Sequence, residues 1–272
     1  MKNINDFKLQ KEFISTVKFV TSSDIRMSIL LSLYEGSKNI NNFTSEIKKR
    51  PENILREIKK LIEHGFIEKK DKAYFLTSAG ILIVSSTNDL FKKYEFIKSN
   101  YEFWNNHSLN AILPEFLENI DIWYNSDYVK TEYIYPFEIF DNILNLIKRS
   151  KNLSIVLSFF IQSHFKSLIS YLKDGDCTIR LITTFEVIDL IKETGLYKDF
   201  KELINKNKFE IYLYKDELGL SLFKGDNFAS LLLANKDNMI DYNCMLLSKD
   251  KKQINKIDYI LDLYEQKSER YL

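Results

Sequence analysis

The segment from Pro51 to His64 constrains the fold most, because it has the apolar spacing of an amphipathic helix. Proline fits the first helical turn, where its missing N–H costs nothing, and Gly65 follows as a stop signal. The opposite side is polar, with Arg56 at its centre. We therefore predict a helix whose aliphatic stripe packs on its neighbours and whose cationic side stays exposed. At about 100° per residue the stripe covers an arc of roughly 120° and comprises Ile54, Leu55, Ile58, Leu61 and Ile62.

Two helices are predicted before this segment. An apolar helix begins near Asp24 and ends at Gly36, with Ile25, Ile29, Leu30 and Leu33 as its apolar positions. A short helix follows over Phe43–Ile47, with Asn41 or Asn42 as its cap.

A hairpin is predicted after Gly65. Its inward residues are Ile67, Tyr74 and Leu76, its basic tip is Lys69–Lys72, and Thr77 caps the next helix. Helix, short helix, turn, helix and hairpin, in that order, indicate a winged helix-turn-helix.

A winged helix-turn-helix commonly lays its second helix in the DNA major groove. Arginine reads guanine and asparagine reads adenine, whereas lysines and hydroxyls meet phosphates. An ordinary helical hairpin with a solvated face, or a winged helix that binds only protein, remains the alternative. The predicted DNA-binding residues are Thr44, Ser45, Asn53, Arg56, Lys59, Lys60, Lys70 and Lys72.

Charge is concentrated on this segment. The chain of 272 residues has a net charge of only +1, too little to indicate nucleic-acid binding by itself. Between Lys38 and Lys72, however, ten Lys and Arg face six Asp and Glu. The positive charge therefore coincides with the DNA-binding pattern.

The two cysteines, Cys177 and Cys244, lie in strand-like surroundings, and we expect buried reduced thiols rather than a disulfide. The first residues lack the apolar core of a signal peptide, and no apolar run is long enough for a membrane span. We expect a cytoplasmic protein.

A seven-residue repeat follows the hairpin. Ile83, Leu90, Ile97 and Trp104 recur every seven residues within a predicted helix from Ser78 to about His107. Thr87, Tyr94 and Tyr101 lie four residues after the first three of these. The seam could pack on the protein's own second domain or pair with a second subunit. The last helix, roughly Asp250–Arg270, is another possible dimer element, through Ile254, Ile257, Leu261 and Tyr264.

The remainder predicts a mixed α/β sheet, because short apolar runs alternate with amphipathic stretches. Predicted helices cover Phe137–Lys148 and His164–Leu172, and one or two helices cover Phe185–Asn205. Predicted strands cover Ile120–Tyr124, Tyr128–Tyr135, Leu153–Phe160, Cys177–Ile182, Phe209–Tyr214, Leu218–Lys224, Phe228–Leu233 and Met245–Ser248.

No catalytic motif and no metal-ligand spacing occurs in the sequence, so we expect no catalytic residues, no metal and no cofactor. A ligand pocket is predicted instead at the carboxyl ends of strands and at the domain junction. Packing in the core or at an interface, or a place in a solvated loop, is the alternative for each of these residues. The predicted ligand-binding residues are Trp104, His107, Ser158, His164, Thr183 and Thr184.

The layout resembles the archaeal winged-helix transcriptional regulators that carry a methanogenesis-regulatory effector domain. Besides the winged helix, the resemblance rests on Phe103-Trp104-x-x-His107, Leu113–Leu117, Tyr135-Pro136, Ser158-Phe159-Phe160 with His164, Thr178–Thr184 and the strands around Gly225-Asp226. It implies a methanogen DNA-binding dimer with an unidentified effector and a sensor domain distantly like phospholipase D. The strand Leu218–Lys224 lacks that superfamily's histidine, so the resemblance favours a sensor over a hydrolase.

We therefore predict an α+β chain with three parts: a winged helix-turn-helix over residues 1–80, a linker and dimerisation helix over 81–119, and an effector-sensing domain over 120–272. The leading hypothesis is a homodimeric DNA-binding regulator that responds to a small molecule. The alternatives are an enzyme that acts on phosphodiesters or nucleotides, and a ligand-free protein-interaction adaptor.

Overall fold

The computed structural model describes residues 4–131 and 138–271, with side chains from residue 11 onward. It contains both helices and sheets, which confirms the predicted α+β class. The chain divides into two compact units, residues 1–91 and 92–272. The division falls inside a helix, after Phe91, and the three-part division drawn from the sequence stays a prediction.

The first unit has the predicted order of elements, preceded by a helix that the sequence patterns did not indicate. That helix is α1 (Ile4–Thr21), whose Val20 is buried in the core of the unit. The others are α2 (Asp24–Tyr34), α3 (Ile40–Ile47), α4 (Pro51–Glu63), β1 (Ile67–Lys70), β2 (Ala73–Leu76) and the start of α5 (Ser78–Ser99).

Side-chain caps and glycines set the boundaries of these helices. Asn39 caps α3, because its side chain accepts from the backbone of Asn42 and the Asn42 side chain accepts from the backbone of Asn39. Of the two predicted caps, Asn42 takes part in this capping box from inside the helix, and Asn41 does not. Thr77 caps α5 as predicted, with its Oγ1 accepting from Gly80 N at 3.1 Å. A side chain at Gly80 would meet Phe66 O at 2.0 Å, so this position needs glycine.

A buried ion pair joins α2 to α4. Arg26 Nη2 lies 2.6 Å from Glu57 Oε2, and both side chains are almost fully buried. The Arg26 guanidinium also covers the ring of Phe19 at 3.9 Å and donates to the Phe19 carbonyl. Lys60 Nζ donates to the other oxygen of Glu57 at 2.9 Å. Glu57 thus has cationic partners for both oxygens, which a buried carboxylate requires.

The second unit is built around a sheet covered by helices. Its helices are the end of α5, α6 (Tyr101–Asn106), α7 (Pro114–Glu118), a 3-10 helix (Ile120–Trp123), α8 (Glu138–Ile147), α9 (Gln162–Asp174), α10 (Phe185–Lys192), α11 (Tyr197–Asn205) and α12 (Lys251–Gln266). Its strands are β3 (Asp127–Lys130), β4 (Asn152–Leu157), β5 (Thr178–Thr183), β6 (Phe209–Tyr214), β7 (Leu220–Lys224), β8 (Ala229–Leu233), β9 (Cys244–Ser248) and β10 (Ser268–Arg270).

These eight strands form one mixed sheet in the order β10-β6-β5-β4-β7-β8-β9-β3. The pairs β4–β5 and β5–β6 are parallel, and the remaining pairs are antiparallel. A hydrophobic core lies on each face: Leu153 and Ile155 of β4 point to the core under α8–α11, whereas Val156 points to the core under α12. The central strands are buried on both sides, which explains their unbroken apolar runs.

Three predictions about elements need correction, and a fourth falls partly outside the described residues. Ile120–Tyr124 forms a 3-10 helix rather than a strand. The predicted helix from Ser78 to His107 breaks at Asn100, which lies between α5 and α6. The chain after α12 forms β10 beside β6, and so the last helix ends early. The predicted strand Tyr128–Tyr135 is β3 in its first half; its second half, with Tyr135-Pro136, lies outside the described residues.

The apolar face of α12 is also not a dimer element. Ile254, Ile257, Leu261 and Tyr264 are all buried in the core of the second unit. They cover the sheet, and so this face is already occupied.

The Arg26–Glu57 pair leads to a prediction about acid stability. Burial acts to raise the pKa of Glu57, but hydrogen bonds from Lys60 and Arg26, with their charges, lower it below its ordinary value of 4.5. A lowered folded-state pKa stabilises the fold above the unfolded pKa, and that stabilisation is lost as the pH falls through the folded value. Glu57→Gln should lower the free energy of unfolding by about 3–5 kcal/mol at pH 7, and the difference from the unmodified chain should shrink below about pH 4.5.

Urea unfolding of the full chain at several pH values measures this difference. Glu63→Gln is the control, because Glu63 is exposed on the same helix and should change stability by less than about 0.5 kcal/mol. A Glu57→Gln penalty that is the same at pH 7 and pH 3 would contradict the assignment.

Candidate nucleic-acid interface and ligand pocket

Helix α4 buries a narrower stripe than the sequence predicts. Ile54, Ile58 and Leu61 are buried in the core of the first unit, but Leu55 is 44% exposed and Ile62 is 40% exposed. The prediction that all five aliphatic residues anchor the helix is therefore wrong. The reason is Glu57, which is buried together with Ile54, Ile58 and Leu61. The buried stripe is therefore centred nearer to Glu57, and Leu55 and Ile62 point outward.

The opposite side of α4 carries four of the predicted DNA-binding side chains. Arg56 and Lys59 are exposed, whereas Asn53 and Lys60 are half-buried. Arg56 Nε lies 3.4 Å from Glu57 Oε1, the same oxygen that accepts from Lys60. Glu57 therefore orients two of the four side chains, and the Arg56 guanidinium extends into solvent beyond it.

The two predicted hydroxyls of α3 are engaged within their own helix. Thr44 Oγ1 donates to Ile40 O and Ser45 Oγ donates to Asn42 O, both at 2.8 Å. Each hydroxyl proton must leave that carbonyl before it can donate to a phosphate. The prediction that they contact DNA stays untested.

The hairpin presents the predicted basic tip. Asp71, in the left-handed conformation at φ +54°, makes the turn between β1 and β2, and Lys69, Lys70 and Lys72 are exposed around it. Lys70 Nζ pairs with Glu68 at 2.7 Å. The hairpin and α4 thus place exposed cations on one compact unit.

The second unit contains an apolar cavity of about 60 Å³ on the sheet face beneath α8 and α9. Its polar lining residue is His164, whose Nε2 lies 3.4 Å from Asp141 Oδ1. The rest of the lining is aromatic and aliphatic, and it includes six phenylalanines: Phe140, Phe159, Phe160, Phe165, Phe209 and Phe223.

Two of the predicted ligand residues instead hold the sheet together, and a third begins a helix. Ser158 bonds to Ser221 Oγ through its backbone N–H at 3.2 Å and its hydroxyl at 2.9 Å. Thr183 is fully buried and donates to Leu157 O at 2.6 Å. Thr184 lies at the start of α10. None of these three residues lines the cavity.

Trp104 and His107 pack on the opposite face of the sheet. His107 is buried, with Nδ1 2.5 Å from Phe103 O and Nε2 3.4 Å from Asp241 Oδ2. The Trp104 Nε1 atom is buried without a hydrogen-bond partner among the described residues. Cys244 Sγ lies 3.6 Å from His107 Nε2. The six predicted ligand residues therefore do not form one site.

Burial and neighbouring charges set the ionisation of this second group. Hydrogen bonding to His107 lowers the pKa of Asp241 to about 2. Burial, with the nearby Asp241 charge, raises the pKa of the Cys244 thiol to about 12. Cys177 is likewise buried, and neither cysteine is bridged.

Two features of these sites were not predicted from the sequence. The Arg26–Glu57 pair had a signal, since each residue stands on the apolar stripe of its helix. The cavity lies beside His164, one of the predicted ligand residues, but its apolar lining had no signal, because a void depends on packing. The His107, Asp241 and Cys244 cluster had none either, because His107 is far from the other two along the chain. No helix of the described residues is long and apolar enough to cross a membrane.

Solved structures with a similar arrangement have low sequence identity. TrmBL2, described as an archaeal chromatin protein, is 14% identical, with a TM-score of 0.41 over 89% of this chain and 91% of its own. NucT from Helicobacter pylori is 15% identical, with a TM-score of 0.38 over 53% of this chain and 100% of its own. Nuc from Salmonella typhimurium, a phospholipase D family member, is 11% identical, with a TM-score of 0.38 over 54% of this chain and 97% of its own.

Two family models match the chain. The N-terminal domain of the methanogenesis regulatory protein FilR1 matches residues 14–93, and the middle domain of the same protein matches residues 136–255. FilR1 of Methanothrix harundinacea (strain 6Ac) is 25% identical over 235 residues, which cover 85% of this chain and 52% of FilR1. The chain thus spans about half the length of this curated relative. The chain is thus similar, over both of its matched domains, to the methanogenesis regulatory protein FilR1, and these matches together support a methanogenesis-type regulator.

Proposed function

We propose that this chain is a transcriptional regulator that binds operator DNA as a homodimer and senses a small apolar molecule. The observation that carries the proposal is the geometry of α4. Its buried stripe and the Arg26–Glu57 pair fix the helix, while Arg56 and Lys59 stay exposed on the other side. A helix held in this way can enter the major groove without rearrangement.

Two classes of contact follow from the side chains present. The planar guanidinium of Arg56 can bind guanine O6 and N7 together, which discriminates between bases. Lys59 and the lysines of the hairpin tip suit phosphates, which add affinity without sequence preference.

The dimer is proposed through α5. Leu90, Tyr94 and Ile97, spaced by four and three residues, are 60%, 58% and 43% exposed. The helix faces its own unit through other residues, since Phe96 and Asn100 are buried. A stripe of this spacing is typical of helix pairing, and a dimer reads two half-sites about 34 Å apart.

The effector is proposed to be apolar because of the cavity's lining. A sugar or phosphate would lose its hydration there with few partners to replace it, which is costly. An aromatic or aliphatic molecule would gain from contact with the phenylalanines, and one polar group could meet His164.

Arg56→Ala should weaken binding to DNA from the protein's own upstream region by about 1–3 kcal/mol and relax base preference. Lys59→Ala should weaken binding to all sequences alike and reduce the salt dependence by about one charge. Fluorescence anisotropy at fixed salt measures both effects. The control is Arg149→Ala, which removes the same charge from an exposed site in the second unit. Unchanged affinity and selectivity for Arg56→Ala would argue against the interface.

The pair Leu90→Glu and Ile97→Glu should convert the dimer to monomer, because two charges would be buried in an apolar seam. Sedimentation velocity measures the change. Lys92→Glu with Ser99→Glu places two charges at the same spacing on exposed positions outside the seam and should leave the dimer intact. A chain that is monomeric without any substitution would refute the proposed pairing.

Xenon, a probe small enough for this cavity, should raise the melting temperature of the full chain under gas pressure, by the equivalent of about 2.7 kcal/mol at one hundred times its dissociation constant. Ile143→Phe, which adds volume at the cavity wall, should abolish this shift. Val187→Ile enlarges the same core away from the lining and should preserve it. An equal xenon shift in Ile143→Phe, or none in the unmodified chain, would exclude the cavity as a ligand site.

A further inference from the structure

Three potential metal ligands meet on the face of the sheet opposite the apolar cavity. His107 ends α6, Asp241 lies between β8 and β9, and Cys244 is the first residue of β9. Backbone bonds hold them: Ser108 N donates to Ala234 O at 2.8 Å. The segment after β8 thus brings Asp241 and Cys244 to His107.

The spacing of the three ligand atoms is that of a metal site. His107 Nε2 lies 3.4 Å from Asp241 Oδ2 and 3.6 Å from Cys244 Sγ, and Sγ lies 3.4 Å from Oδ2. Tetrahedral zinc, with bonds of about 2.0–2.3 Å, separates neighbouring ligand atoms by roughly 3.3–3.6 Å. The nitrogen–oxygen separation is long for a charge-assisted hydrogen bond, which is usually about 2.7–2.9 Å.

The hydrogen bonds behind these atoms turn one ligand atom of each side chain toward the cluster. His107 Nδ1 is 2.5 Å from Phe103 O, where the ring can donate its Nδ1 proton, so Nε2 is the nitrogen that faces the cluster and would bind a metal. Asp241 Oδ1 accepts from the backbone and side-chain nitrogens of Asn243, at 2.9 and 3.2 Å. The other oxygen, Oδ2, therefore faces the cluster. Hydrogen-bond partners behind the ligand atoms, such as Phe103 and Asn243 here, are typical of metal sites.

We propose that His107, Asp241 and Cys244 bind a divalent transition-metal ion, with Zn²⁺ as the best fit. A nitrogen, a carboxylate oxygen and a thiolate together suit this borderline-soft ion, and a fourth position remains for water or an exogenous ligand. Binding displaces the thiol proton to solvent and leaves the thiolate on the metal. The Asp241 side chain is 23% exposed, which gives the ion a path of entry.

The bound ion would join α6 to the β8–β9 connection. It would stabilise the second unit, because a ligand that binds only the folded state raises its stability. Cys244 itself is only 3% exposed. A thiol this deeply buried suits a metal ligand better than a nucleophile, which must reach its substrate.

The test uses the full chain, stripped with a chelator, dialysed and titrated with Zn²⁺ or Co²⁺ alone. We expect one ion per chain by elemental analysis, a higher melting temperature, and a thiolate-to-cobalt charge-transfer band in the near ultraviolet. Cys244→Ser should abolish the band, and Asp241→Asn should weaken binding by at least the 10–100-fold that outer partners of a metal site typically contribute.

Cys177→Ser is the matched control, because Cys177 is the other buried cysteine of the chain, and it should leave binding unchanged. A chain that takes up no ion and shows no change in melting temperature would overturn the proposal. Equal metal binding by Cys244→Ser would overturn it as well. Asp241→Asn keeps the test decisive if Cys244→Ser fails to fold, since Asp241 is partly exposed.

Discussion

The buried pair between Arg26 and Glu57 governs the orientation of α4, and the rest of the first unit depends on it. Glu57 occupies a position on the buried stripe that an aliphatic residue would otherwise fill. A charge at that position is tolerated only with a partner that satisfies it. Arg26 supplies that partner from α2 and is itself held against Phe19. The pair therefore fixes the rotation of α4 about its axis, and with it the direction in which Arg56 points.

The second unit uses the two faces of one sheet for different chemistry. One face carries phenylalanines around a small cavity. The other brings a histidine, a carboxylate and a thiol together beside an aromatic cluster. Strand alternation makes this separation possible, because successive residues of one strand serve opposite faces. The six predicted ligand residues came from two places, the domain junction and the carboxyl ends of strands, and the fold does not bring the two groups together.

The repeat along α5 shows where sequence periodicity gives an incomplete answer. The sequence showed the seam at Leu90 and Ile97. It left open whether this seam packs on the protein's own second domain or on a second subunit. In the fold, Phe96, Asn100 and Phe103 are buried, at the same alternating spacing of four and three. Two stripes of similar spacing thus run along one stretch of chain. Only the packed domain decides which of the two stripes is buried, because the buried stripe is the one that faces the rest of the domain.

The sequence by itself determined the order of the elements, since turn residues, caps and apolar periodicity are local properties. It therefore predicted α2–α4, the hairpin, most strands of the sheet and the exposed cations of α4. Only the tertiary structure decided which stripe of each helix is buried, that Arg26 meets Glu57, and that His107 reaches Asp241 and Cys244. These contacts join residues far apart in the chain, and their geometry is fixed by packing in three dimensions rather than by any spacing along the sequence.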